Sequence, residues 1–264
     1  MILKQEVYQY TYCPQKHKLQ YTQKVDVPPT PQMVLGVLLH KIREVLEEKE
    51  FTIIKGIDDV TFDKIVKAYK RKKMDIFETA MKEKSQLVHQ LSDEDCEYAQ
   101  KDLDLLLYEK AVRTMRVSQT YQLKKGELAE YVSPPWKYVK YSMKSKKLQL
   151  TGTADLIEHF GSFFYPVELK TGKPPKEGIF VQDTYEVGCT ALLVEDHFKV
   201  PVPVGFIEYT QLGERRPVRI DDTLRDNVLK VRDCITEGVY PDKEYTEKCG
   251  PCEYVKVCWN DSDH

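Results

Sequence analysis

Nowhere does the sequence approach the roughly 18 consecutive apolar residues that a membrane span requires. Its opening, Met1 to Pro14, has no apolar signal core. These two absences give the expectation of an intracellular, cytoplasmic protein with no membrane partner. A net charge of −2 excludes a global basic field. It leaves room for a basic cleft, because a local patch matters more than the sum. Internal repeats and low-complexity tracts are also missing. Cysteine, by contrast, is not scarce. There are seven, an odd number, and Cys13, Cys249, Cys252 and Cys258 fall near the two ends. In a reducing compartment that distribution favours metal or cluster ligation over disulfides. With 264 residues, 41% of them hydrophobic, the chain can bury a sizeable core.

The order of elements predicts a mixed sheet with helices packed on it, an α/β fold. The proline-rich connector Val25 to Pro31 precedes a helix that starts at Thr30-Pro31 and carries Val34, Val37, Leu38, Ile42, Val45 and Leu46. His40 lies in this helix, with Gly36 and Glu44 four residues to either side on the same face. From Val60 to Lys125 the pattern is helical and highly charged. Ile65, Ala68, Tyr69, Ile76, Phe77 and Ala80 suggest one amphipathic helix, and Leu103, Leu106, Leu107 and Ala111 another. Ser92 with Asp95 resembles a capping box. Lys70-Arg71-Lys72-Lys73 is the densest basic patch, read either as a solvated helix face or as a phosphate contact.

Strands are expected over Glu127–Val132, Trp136–Met143, Leu148–Glu158, Phe163–Lys170, Val202–Thr210 and Glu214–Ile220. Helices are expected from Gly178 to Phe198 and from Asp221 or Asp222 to Gly238.

The two strand-like runs within Leu150 to Lys173 hold the chemistry. Asp155 is the single acid of an otherwise apolar run, so it must be exposed, paired or bound to metal. In the next run Glu168 and Lys170 share one face, and Leu169 points to the other. On these residues alone, an edge strand with a surface Glu–Lys pair and a site for a divalent cation are equally acceptable. The second reading has clear chemistry. Phosphodiester hydrolysis needs a metal to polarise the phosphoryl oxygen and acidify a water, and oxygen ligands suit Mg²⁺ or Mn²⁺. A lysine beside that water orients it and stabilises developing negative charge.

At the far end, Cys249-Gly250-Pro251-Cys252 is followed by Cys258, and Cys13 offers a fourth thiolate. No βαβ context surrounds the CxxC, so a thioredoxin-like role is disfavoured. Four thiolates suit both zinc and an iron–sulfur cluster, and spacing does not separate them. Cys96, Cys189 and Cys234 fall in helical patterns and are read as buried or incidental.

Asp155 followed by Glu168-Leu169-Lys170 resembles the D…(D/E)-x-K core of restriction-endonuclease-like nucleases. Gln182 and Tyr185 are similar to the Q-x-x-x-Y motif of the RecB-type branch, with two intervening residues where the motif has three. Gly36 to His40 resembles the upstream helical histidine of that branch. One cysteine before this helix and three after the core resemble the iron–sulfur RecB-like nucleases. With no helicase motif present, the closest likeness is to the small CRISPR-associated exonucleases, the fourth of the core Cas proteins.

That resemblance implies a single nuclease domain over 1–264. Residues 50–131 would form a helical insertion or cap, and 1–30 and 239–264 would be joined by a metal cluster. It implies that His40, Asp155, Glu168 and the Leu169 carbonyl hold Mg²⁺ or Mn²⁺ and that Lys170 positions water. Gln182 and Tyr185 would contact DNA or orient Lys170. Cys13, Cys249, Cys252 and Cys258 would bind a 4Fe-4S cluster, with 2Fe-2S or Zn²⁺ as alternatives. The implied activity is 5′-to-3′ degradation of single-stranded DNA ends, in partnership with the CRISPR integrase complex during spacer acquisition. A rival reading is a DNA-binding or scaffold protein with an inactive nuclease fold and a purely structural cysteine site. A second rival is a zinc-stabilised interaction module.

Overall fold

Period-two alternation builds a central sheet, and helices cover both of its faces. A computed structural model describes residues 1–57, 59–124, 126–133, 137–160 and 162–259, apart from the side chain of Phe160. Strand β1 (Ile2–Leu3) leads into helices α1 (Lys4–Tyr12) and α2 (Pro14–His17), which a wide helical turn over Lys18–Thr22 extends. Five helices and one short helical turn follow: α3 (Pro31–Lys55), α4 (Phe62–Lys70), α5 (Lys73–Glu83), the short α6 (Ser85–Val88), α7 (Asp93–Tyr121) and α8 (Leu128–Val132). The sheet continues with β2 (Tyr138–Ser145), β3 (Leu150–Phe160) and β4 (Phe163–Lys170). Helix α9 (Val181–Phe198), strands β5 (Val204–Tyr209) and β6 (Glu214–Arg219), and helices α10 (Asp222–Glu237) and α11 (Val255–Cys258) complete the chain.

Several boundaries follow from local chemistry. The Thr30 hydroxyl accepts from the Met33 amide, and Pro31 opens α3. Ser92 and Asp95 exchange backbone and side-chain bonds in a capping box before α7. Asp221 caps α10, and Gly238 ends it in the left-handed conformation.

Three expectations need correction. Glu127–Val132 is no strand: Leu128–Val132 is helical, and Leu128, Ala129 and Val132 are buried against the helical core. Their spacing suits a helix face better than a pleat. The helix expected through Ile65 and Ala80 is two helices, separated at Arg71-Lys72. The helical region does not begin at 50, because α3 runs unbroken to Lys55 and Glu50 lies inside it. The proposed starting point of β2, Trp136, and the end of the charged helical stretch, Lys125, lie outside the described residues.

The sheet has the order β1-β3-β4-β5-β6, with β2 on the other edge of β3. Strands β2 and β4 run antiparallel to β3, β5 runs parallel to β4, and β6 antiparallel to β5. Strand β3 is long, so one of its edges serves two partners. Its first residues pair with β1 and its last with β4.

On one face Ala154, Ile157, Ile207 and Tyr209 pack with Val7 of α1, Val187, Ala191 and Val194 of α9, and Val228 of α10. On the other, Leu156, Val167 and Leu169 form a small apolar cluster. A separate helical core joins α3, α4, α5, α7 and α8 through Leu38, Ile42, Leu46, Tyr69 and Leu107.

Buried ion pairs join this helical layer to the sheet. Arg43 of α3 pairs with Glu208 of β5 and, at 2.9 Å, with Glu47. Lys110 of α7 sits 2.7 Å from Glu47 and 2.9 Å from Glu50. Arg215 of β6 contacts Glu208 at 2.6 Å and clasps Glu158 of β3 with two bonds of 2.9 Å. Such groups are tolerated inside only because each charge is matched.

Candidate active site

Extending the β3–β4 register one residue past Leu156↔Val167 sets Asp155 beside Glu168. Glu168 faces α1 and α9, where Lys4 and Thr190 meet it. Between the end of the β4 pairing and the β1 pairing, β3 leaves an edge open, and the side chains of four elements converge there. Leu169 donates its amide to Asp155 Oδ2 at 3.0 Å, fixing the carboxylate against the next strand. His40, from α3, places Nε2 3.1 Å from Asp155 Oδ1. Above them opens a cavity of about 760 Å³ whose lining includes Tyr8, His40, Glu44, Lys170, Gln182 and Glu186.

Glu168 lies beneath the cavity, 1% exposed. Its partners are Lys4 Nζ at 2.7 Å and the Thr190 hydroxyl at 2.5 Å. Lys4 enters from the first turn of α1 and also approaches Glu186 at 3.4 Å. Gly152 makes room for it: a Cβ there would stand 2.6 Å from the Lys4 Cβ. Lys170 bonds Glu186 at 2.5 Å and Asp183 at 3.1 Å, and its ammonium stands 4.3 Å from the centre of the Tyr8 ring.

The charge states follow from this packing. Burial works against the charge of Asp155, yet Lys4, His40 and Lys140 hold it below the usual carboxylate range. Burial pushes Glu168 up to about 8; Lys4 opposes this, and the neighbouring Asp155 and Glu186 reinforce it. His40 is held below the ordinary histidine value by burial, with Asp155 pulling the other way, so the neutral imidazole is favoured. Burial opposes the charge of Lys170, but Glu186 and Asp183 keep it above the ordinary lysine value. Lys170 therefore remains a cation and is suited to orient water or stabilise an oxyanion, not to take up a proton.

His40, Asp155, Glu168, Leu169, Lys170 and Gln182 are thus brought together. Tyr185 is not: it packs, partly buried, against the apolar core under the sheet. Counting three intervening residues from Gln182 leads instead to Glu186, which does reach Lys170. That spacing was the available signal for Glu186. Lys4, Thr190 and Lys140 carry no sequence signal, because long-range packing alone brings them in.

Imidazole nitrogen, carboxylate oxygens and a peptide carbonyl are donors that suit Mg²⁺ or Mn²⁺. A cation already bridges two of them: Lys140 Nζ lies 3.0 Å from His40 Nε2 and 2.8 Å from Asp155 Oδ1. Among the described residues, no three histidine, cysteine, aspartate or glutamate side chains converge as a ready-made metal site. At the carboxylates, Glu168 is engaged by Lys4 and Thr190.

Similarity to known proteins shows the family of the chain. The family model of the PD-(D/E)XK nuclease superfamily matches residues 5–259. The chain belongs to that superfamily. It is 28% identical over 127 residues to the CRISPR-associated exonuclease Cas4/endonuclease Cas1 fusion of Geobacter sulfurreducens, a match covering 46% of this chain and 22% of that protein. It is 27% identical over 129 residues to the CRISPR-associated exonuclease Cas4 of Rhodospirillum rubrum, covering 46% of this chain and 38% of the relative. The match therefore spans well under half the length of these curated relatives.

This PD-(D/E)XK chain carries a second constellation at its termini. Cys13, between α1 and α2, lines one cavity of about 570 Å³ together with Cys249, Cys252 and Cys258. The Thr246 amide points at Cys249 Sγ from 3.5 Å. Polar contacts stitch the two ends around it. Tyr10 donates to the Val239 carbonyl at 2.6 Å, Gln15 to the Pro241 carbonyl at 2.6 Å, and Lys248 to the Tyr12 carbonyl at 3.1 Å. The donor chemistry suits a four-thiolate centre, although the sulfurs are not gathered on one metal position. Helix α1 directly links the two places, with Lys4 at one end and Cys13 just past the other. Cys96 and Cys234 are partly buried, and Cys189 is buried with its thiol pushed up to about 12 by burial. Among the described residues, no helix is long and apolar enough to cross a membrane.

Proposed function

We propose that the chain is a metal-dependent DNA exonuclease that degrades single-stranded ends with 5′-to-3′ polarity and prepares DNA for CRISPR spacer acquisition. The observation that carries this reading is the convergence of His40, Asp155, Glu168 and Lys170 beside one cavity, from a helix and two adjacent strands. His40, Asp155, Glu168 and the Leu169 carbonyl would hold Mg²⁺ or Mn²⁺, which supplies Lewis acidity and an acidified water when bound.

The protein's own residues do the rest. Lys170, fixed by Glu186 and Asp183, orients the attacking water and faces the developing phosphate charge. Gln182 lines the cavity one helical turn before Glu186 and contacts the DNA strand. Phe180 and Met33, both exposed at the cavity, offer surfaces on which bases stack, and Lys84 and Lys173 offer charges for the backbone. Cys13, Cys249, Cys252 and Cys258 hold a 4Fe-4S cluster that ties the first turns to the last. The existence of relatives named as Cas4/Cas1 fusions supports the CRISPR integrase as the partner.

The closure of Glu168 by Lys4 and Thr190 favours one other reading, an inert nuclease fold that binds DNA without turnover. End-labelled single- and double-stranded DNA, incubated with Mn²⁺ or with EDTA, separates the two. The proposal expects stepwise shortening of single strands from the 5′ end in Mn²⁺ alone. Binding without shortening supports the inert fold.

A further inference from the structure

Lys140 is in an unusual backbone state. Its neighbours keep the β2–β3 register, Val139 opposite Leu156 and Tyr141 opposite Ala154. Lys140 itself has φ of 50°, in the left-handed region that disfavours residues with a Cβ. The other left-handed non-glycine residues have ordinary reasons: Lys24 lies in the loop before α3, Gln122 and Lys199 end helices, and Gln149 lies in the turn before β3. Among the described residues, Lys140 is the only one of them within a strand. Strain of this kind persists where surrounding contacts over-determine it and is concentrated at functional sites.

Those contacts are specific. The Lys140 ammonium stands 2.8 Å from Asp155 Oδ1, 3.0 Å from His40 Nε2 and 3.8 Å from Glu44 Oε2. It also lines the cavity beside Lys170. A side chain from the facing strand thus places a positive charge between an imidazole and a carboxylate. These are two of the donors that the proposed reaction needs for its metal. Unlike Lys170, Lys140 belongs to no sequence motif.

We propose that Lys140 is a built-in competitor for the metal position: its ammonium satisfies His40 and Asp155 until a divalent ion displaces it. This rests on the metal-dependent reading above. An ion entering between His40 and Asp155 must break a charge-assisted hydrogen bond and meet a like charge at close range. Removing the ammonium removes both obstacles. The residue thereby raises the metal concentration at which the site fills, and it keeps a buried aspartate paired when no ion is bound.

The test is isothermal titration of the full-length protein with MnCl₂ at fixed pH, for wild type, Lys140→Met, Lys140→Gly and Asp155→Asn. Methionine keeps most of the lysine stem without its charge, and glycine also relieves the left-handed backbone. Circular dichroism checks that each variant folds. Both Lys140 variants should bind Mn²⁺ about ten- to a hundredfold more tightly than wild type, the size of one lost charge-assisted hydrogen bond. Asp155→Asn should lose binding. If wild type binds Mn²⁺ and both Lys140 variants bind it equally or more weakly, the competitor role is overturned and the metal site stands. If no protein binds Mn²⁺, both the inference and the metal-dependent reading fall.

Discussion

Replacing Lys4 with methionine tests how the site is held together. Lys4 Nζ is buried, 2.7 Å from Glu168 and 3.4 Å from Glu186. Its loss leaves Glu168 with Thr190 as its remaining hydrogen-bond partner, beside the carboxylates of Asp155 and Glu186. At pH 9, above the value of about 8 reached by Glu168, the wild type holds a carboxylate opposite Lys4. Without the ammonium that carboxylate must stay an unmatched charge or take up a proton, and breaking one side of such a buried pair costs about 3–5 kcal/mol. A domain of this kind is stable by roughly 5–15 kcal/mol, so the variant should fold while unfolding at much lower urea. In a Glu168→Gln background the same change removes no partner from a charge. There it should cost about 1–2 kcal/mol, in line with an ordinary hydrogen bond. The double-mutant cycle should therefore give a coupling energy of about 2–3 kcal/mol. The assay is equilibrium urea unfolding of the four proteins at pH 9, followed by far-ultraviolet circular dichroism. If Lys4→Met costs under about 1 kcal/mol, or costs the same in both backgrounds, Lys4 does not hold Glu168 in place.

Other consequences are simpler to state. Gly152→Ala puts a Cβ 2.6 Å from that of Lys4 and should cost about 1–3 kcal/mol by overpacking, read as a lowered urea midpoint. Burial opposes the charge of Glu208, but Arg43 and Arg215 lower its carboxyl to about 2. Stabilisation from a depressed carboxylate is complete above its unfolded value, near 4.5, and is lost as pH falls through the folded value. Acid should thus remove about 3 kcal/mol across that window, and Arg215→Met should flatten this part of the stability–pH curve. Identical curves for wild type and variant would count against the pairing. If the four cysteines hold the proposed cluster, Cys252→Ser should abolish bound iron, measured after anaerobic purification, and should speed tryptic cleavage after Lys243 or Lys248 by loosening the joined termini.

What a single sequence conveys here depends on the range of the interaction. Thr30-Pro31, the Ser92–Asp95 box and Gly238 act within one helical turn, and their elements begin and end where expected. Strand β4 was readable residue for residue, because its alternation separates Glu168 and Lys170 from Leu169. Leu128–Val132 was misread since so short a stretch, with Glu130 among apolar residues, fits a strand or a helix, and packing against α3 and α7 decides.

The site was half readable. Asp155, Glu168 and Lys170 stand out as charges in apolar strands. Lys4 and Lys140 resemble any surface lysine until the register of β1 and β2 against β3 brings them inward. Tyr185 and Glu186 differ by one position, about 100° around α9, and that angle separates the apolar core from the cavity.

The central claim is that one cluster of side chains performs metal-dependent DNA cleavage. It is tested most directly by single-turnover digestion of 5′- and 3′-labelled single-stranded DNA in Mn²⁺. Wild type is compared with Glu168→Gln and Lys170→Ala, each checked for native circular dichroism. The account predicts shortening of the strand by wild type, none in EDTA, and a loss of at least about a hundredfold in rate for each variant. Variants that fold and cut as fast as wild type would contradict it.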